Sequence, residues 1–70
     1  MERDAERDVS VAQFVDALRR LAQSLEAGEG FRIQVSHKRF TVPSDARLSI
    51  EHEVDEQGNE ELELQLKWKS

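Results

Sequence analysis

The sequence predicts an α+β fold: one N-terminal amphipathic helix packed on one face of a four-stranded antiparallel β-meander, a two-layer sandwich. Two observations carry that reading. Apolar residues recur at helical spacing from Val11 to Leu25, and after Gly30 the period switches to two through four one-sided segments. Short connections favour antiparallel neighbours, and a clean alternation means one packed face and one solvated face.

The helix is expected over residues 10–27. Ser10 suits an N-cap, because its hydroxyl can accept a bond from an orphaned N–H of the first turn. Gln13, three residues on, completes a capping box. Val11, Phe14, Val15, Leu18, Leu21, Ala22 and Leu25 form the apolar stripe. Asp16 and Arg20 make an i, i+4 pair on the outer face, and Gly28 is the natural left-handed stop. The first strand alternates Phe31, Ile33 and Val35 with Arg32, Gln34 and Ser36. The second carries Phe40 and Val42 and ends at Pro43. Their join, Ser36-His37-Lys38-Arg39, lacks the Asn or Gly that a two-residue hairpin turn prefers. The third strand aligns Leu48, Ile50, His52 and Val54 on one face. The fourth aligns Leu62, Leu64, Leu66 and Trp68, beyond a loop at Asp55–Asn59.

This overall pattern resembles the amphi-Trp domain family of small bacterial and archaeal proteins. The stretches that carry it are LRRLAQSLEAGEGFRIQV (residues 18–35), RFTVPSDARLSIEHE (39–53) and ELELQLKW (61–68). Members often have Asn or Gly in the first hairpin turn, where this chain has His37-Lys38. The resemblance implies the architecture and no activity, substrate or cofactor.

Composition limits the function classes. The chain has 70 residues, a net charge of −5 and no cysteine. That length holds one domain with a small core, here expected over residues 9–70 behind a flexible charged tail at 1–8. Without cysteine, neither disulfides nor a thiolate zinc site is available. No apolar run is long enough to cross a bilayer and no export signal is visible, so a cytoplasmic location is expected. The acidic balance argues against nucleic acid and anionic membranes as partners. A nucleic-acid role for Arg32, Lys38, Arg39 and Arg47 ranks last. The charge is also uneven: residues 28–47 carry net +2 and residues 48–70 carry net −5.

Four glutamates dominate the candidate site. Glu51, Glu53, Glu61 and Glu63 share the polar face of the third and fourth strands. Any in-phase register sets two of them directly opposite each other, which destabilises the sheet unless compensated. Lys67 and the second strand are the expected compensation: with Val42 opposite Leu48, Arg39 falls opposite Glu51. His52 is expected to be a partly buried or sheet-end histidine with a hydrogen-bond partner, and Trp68 to close the core against the helix. No catalytic triad, phosphate loop or nucleophile elbow is present, and a chain this short leaves no room for a cavity above roughly 300 Å³. The chain is therefore expected to be no enzyme and to hold no cofactor or metal.

The reading is a small interaction or accessory module. It binds a protein partner, basic in character, through its polar sheet face or last-strand edge. Glu51, Glu53, Glu61, Glu63, Arg32, Arg39, Lys67 and Trp68 are its candidate contacts. The alternative is a small-ligand or divalent-metal-responsive protein using His52 and neighbouring carboxylates. A monomer is favoured over a homodimer through the last strand. That dimer is self-complementary when centred on Leu64, with Glu61 opposite Lys67, Glu63 opposite Gln65 and Leu62 opposite Leu66.

Overall fold

A computed structural model describes residues 7–70; the charged tail expected at 1–8 lies largely outside the described residues. The element order is α1 (Val11–Ala27), β1 (Phe31–Val35), β2 (Lys38–Val42), β3 (Arg47–Val54) and β4 (Glu60–Lys67). The α+β class, the N-terminal helix and all four strands are as the sequence predicts.

Both ends of α1 are closed by their own residues. Ser10 Oγ accepts from Gln13 N at 3.1 Å, and Gln13 Oε1 accepts from Ser10 N at 3.0 Å, a reciprocal capping box. At the other end Gly28 adopts φ 68°, and Gly28 N and Glu29 N donate to Leu25 O and Ser24 O. A side chain at that φ crowds the backbone, so glycine ends the helix here at little cost. Asp16 and Arg20 lie 3.9 Å apart on the exposed surface, a contact that contributes little.

The strands do not form one meander. They make two separate two-stranded antiparallel sheets, β1–β2 and β3–β4. The expected pairing of Val42 with Leu48 is absent, and Arg39 does not reach Glu51; it lies opposite Gln34 and donates Nε to Gln34 Oε1 at 3.1 Å. The connection between the hairpins accounts for the break. Pro43 has no N–H to give to a ladder at that end, and its carbonyl instead accepts from Ala46 N within a tight turn.

Each hairpin is closed by local chemistry. In the first, the last pair is Val35 with Lys38, which leaves Ser36-His37 as a two-residue turn. Ser36 takes φ 55°, the left-handed region that such a turn demands and that disfavours a side chain. In the second, Asp55 Oδ1 accepts from Gln57 N and Asn59 N, and Asp55 Oδ2 from Asn59 Nδ2, all at 2.9 Å. These bonds hold the Asp55 carboxyl below its ordinary value, the Asn59 side chain first. Gly58 supplies the positive φ, 84°, that finishes the loop.

The core lies under the helix, on β1–β2. Phe31 and Val42, opposite each other in register, are the only buried apolar residues among those described, at 6% and 5% exposure. Arg20 covers the Phe31 ring, its guanidinium carbon 5.5 Å from the centroid, and its Nη2 donates to Arg32 O at 3.0 Å. Trp68, expected to close the core against the helix, has an aromatic partner on the first hairpin. It stacks on Phe40 of β2, centroids 6.0 Å apart and planes at 27°, and so ties the end of the C-terminal hairpin to the first hairpin.

Candidate functional site: the C-terminal hairpin

Period-two alternation gives β3–β4 two faces of opposite chemistry, and the register decides how they are laid out. On one face Leu48 lies opposite Leu66, Ile50 opposite Leu64, and His52 opposite Leu62. On the other, Arg47 lies opposite Lys67, Ser49 opposite Gln65, Glu51 opposite Glu63, and Glu53 opposite Glu61. The polar face is thus cationic at the Arg47 end, neutral in the middle and anionic towards the Asp55 loop.

Burial on this hairpin is inverted. Ile50 and Leu62 are 76% and 70% exposed on the apolar face, and Leu48 and Leu64 are exposed beside them. Glu63 and Gln65, on the polar face, are half-buried; Gln65 Nε2 donates to Glu63 Oε2 at 2.6 Å, and Ser49 Oγ donates to Gln65 Oε1 at 3.2 Å. An apolar sheet face left in water is the usual mark of a surface that meets another chain.

The expected carboxylate opposition is present, and doubled. Single ligand atoms of Glu51, Glu53 and Glu63 lie within 4.8 Å of one another. Their repulsion raises the Glu53 carboxyl above its ordinary 4.5, Glu63 contributing most and Glu51 next. The expected compensation does not arrive: Lys67 sits beside Arg47 at the far end of the face, and Arg39 is on the other hairpin. With one ligand atom from each of Glu51, Glu53 and Glu63, the cluster offers three oxygens at close range, against the six to eight that calcium takes.

His52 is parted from these glutamates. It projects from the apolar face, is exposed, and has Nε2 2.9 Å from Glu60 Oε1. It has the expected hydrogen-bond partner and is the sheet-end histidine rather than the partly buried one, and it cannot join the Glu51–Glu53–Glu63 cluster across the sheet.

Two opposed titrations follow for the hairpin. A carboxyl raised in the fold disfavours folding once both states are ionised, so protonating Glu53 as pH falls from neutrality towards 4.5 relieves strain and raises stability. Asp55 has the opposite sign: its lowered value stabilises the fold above 3.8, and that contribution is lost as pH falls further. A melting-temperature profile should therefore rise on mild acidification and then drop. Glu63→Gln should lift the neutral-pH melting point by about 1–4 °C and flatten the acid-side rise. A profile unchanged by that substitution rules out cross-strand repulsion as the cause.

Arg32 and Arg39 lie elsewhere, on a broad groove of about 700 Å³ between α1 and β1–β2, where Arg7 and Arg20 join them and Asp16 is the only acidic lining residue among those described. This corrects the expectation that no cavity above roughly 300 Å³ fits such a chain. The expectation allowed for no open trough between the helix and the first hairpin, which is where this space lies. No histidine or carboxylate pair lines the groove, and no nucleophile–base arrangement occurs along it among the described residues. Sequence reasoning missed the groove because it joins residues from the helix and both strands of the first hairpin; the net +2 over residues 28–47 was the one signal. Of the predicted contacts, the structure brings together Glu51, Glu53, Glu61, Glu63 and Lys67 on one hairpin face. It sets Arg32 and Arg39 apart, and it places Trp68 against Phe40.

Among the described residues, no helix is long and apolar enough to cross a membrane. Comparison with curated proteins and with solved structures finds no match. The family model of the amphi-Trp domain matches residues 1–70. With the helix and the four alternating strands in place, and the match spanning the whole length, the chain belongs to the amphi-Trp domain family.

Proposed function

We propose that the protein is a non-catalytic, cytoplasmic interaction module whose C-terminal hairpin accepts an extended strand from a protein partner. One observation carries this reading: β3–β4 is a two-stranded ladder with no further strand on either outer edge among the described residues, and its two faces differ in chemistry. A strand added to such an edge gains main-chain hydrogen bonds, and alternate side chains set its specificity. The matching strand alternates apolar and basic residues. Its apolar side continues the Leu48–Ile50–Leu62–Leu64 face, while its basic side lies beside the acidic end of the polar face at Glu51, Glu53, Glu61 and Glu63. Charge alternation on β4 also disfavours indiscriminate edge pairing.

A strand-forming peptide of alternating leucine and lysine tests the reading. It should shift the amide resonances of β3 and β4, with an affinity that falls as salt rises. A peptide with glutamate in place of lysine should not. Equal binding of both peptides, or no shift with either from a monomeric chain, overturns the proposal. The second reading, a divalent-cation-responsive protein, has the Glu51–Glu53–Glu63 cluster in its favour. Binding to the native state raises a melting point, so a melt unmoved by millimolar Ca²⁺, Zn²⁺ or Mn²⁺ removes it.

A further inference from the structure

The chain itself contains an alternating strand that brings one cation to such an edge: β4 carries Leu62, Leu64 and Leu66 on one side and Glu61, Glu63, Gln65 and Lys67 on the other. We propose that β4 of a second copy is the strand the hairpin accepts, giving a homodimer in which the two β4 edges pair antiparallel about a two-fold axis at Leu64. The proposal rests on the strand-accepting reading and names its partner.

The charge layout supports this pairing. Within one copy, like charges face each other at both ends of the hairpin: Arg47 opposite Lys67 at one end, and Glu51 with Glu63 and Glu53 with Glu61 towards the other. A two-fold antiparallel arrangement lays the cationic end of each hairpin beside the anionic end of its mate. Glu61 then meets Lys67 of the second copy, and Glu63 meets Gln65. On the opposite face Leu62 meets Leu66, and Leu64 meets its own symmetry equivalent. Opposite-charge and aliphatic cross-strand pairs are those that stabilise a sheet. The pattern is self-complementary, as a two-fold interface must be. The outer edge of β3, centred on Ile50, also pairs opposite charges, Arg47 with Glu53, but it sets Leu48 against His52 where β4 sets Leu62 against Leu66.

Surface area and strand count point the same way. The chain exposes 6636 Å², whereas a compact monomer of 8.1 kDa exposes about 4,500 Å². Discounting the largest area that residues 1–6 can expose, about 1,100 Å², still leaves on the order of 1,000 Å² in excess. Doubled for a pair, that is comparable with the roughly 2,000 Å² at which obligate homodimer interfaces begin, and the paired β4 edges take the share of it that lies along that strand. An isolated two-stranded hairpin is marginal in water, and three or more strands with an apolar face are needed for independent stability. Pairing through β4 makes four.

The test is the mass of the full chain at tens of micromolar, by light scattering or sedimentation equilibrium, with charge variants. The expected mass is twice 8.1 kDa. Lys67→Glu turns two attractive contacts per dimer into repulsive ones and should weaken association by about tenfold or more. Adding Glu61→Lys to that variant restores the pairing with signs reversed and should recover the affinity. Within one chain, Lys67→Glu gives Arg47 an opposite-charged neighbour, so a dissociated variant that still melts cooperatively reports on the interface and not on the fold. A monomer mass for the parent chain overturns the proposal. So does a dimer indifferent to Lys67→Glu, or one that the double variant fails to restore. A monomer that still binds the leucine–lysine peptide sinks the dimer and leaves the module reading standing. A monomer that binds neither peptide sinks both.

Discussion

Phe31→Ala is expected to unfold the domain. Phe31 and Val42 are the only buried apolar residues among those described, so the truncation removes about half of that core. A buried Phe→Ala change costs about 3–5 kcal/mol, and a core in a chain of this size rarely supplies more than about 3–5 kcal/mol. The loss is therefore comparable with the whole. It also removes the ring under the Arg20 guanidinium. Far-UV circular dichroism should show no cooperative melt for Phe31→Ala, whereas Phe31→Leu, which keeps most of the volume, should still melt at a lowered temperature. A Phe31→Ala chain that melts within a few degrees of the parent would place the stabilising core elsewhere, most plainly in an interface between copies.

Phe40→Ala is expected to release the C-terminal hairpin from the rest of the molecule. The Phe40–Trp68 stack is the one ring contact between the two hairpins among the described residues. A stacked aromatic pair adds about 0.5–1.5 kcal/mol beyond the area it buries, and with the burial of a half-exposed ring the total loss should be about 2–3 kcal/mol. Trp68 is the only tryptophan, so its emission reports the change directly: a red shift and easier quenching by iodide, with the amides of β1 little affected. If the emission of Phe40→Ala matches that of the parent, the stack is not what holds Trp68.

The two substitutions act at different levels. Phe31 holds the helix on the first hairpin, while Phe40 holds the second hairpin beside the first. The candidate site lies wholly on β3–β4, so Phe40→Ala should leave its internal register intact and change only how the hairpin is carried. Peptide binding that persists in Phe40→Ala would show the hairpin to be sufficient for recognition.

Local chemistry explains why so much was legible in the sequence. The Ser10–Gln13 capping box and the Gly28 stop involve residues three to five apart, so the ends of α1 follow from side chains and backbone that meet whatever the rest of the chain does. The same holds for the alternation of β3 and β4. A period of two sorts Leu48 and Ile50 from Glu51 and Glu53 before any partner strand is known, and any in-phase register then forces a carboxylate opposition. The glutamate face was readable for that reason, and so was the self-complementarity of β4.

Only the tertiary structure decided how the two hairpins meet. Alternation says that a strand has an apolar face but not which layer covers it. The expected meander put Trp68 against the helix, Arg39 against Glu51 and Lys67 among the glutamates. The turn at Pro43–Ala46 broke the β2–β3 ladder instead. Trp68 stacks on Phe40, while the registers within the hairpins set Arg39 opposite Gln34 and Lys67 opposite Arg47. The sequence by itself determined the helix, the four strands and the two chemistries of the last hairpin, because each depends on neighbours close along the chain. The separation of the sheets, the basic groove under the helix and the uncovered apolar face depend on which distant surfaces meet, and that balance lies in packing energies the pattern of residues does not carry.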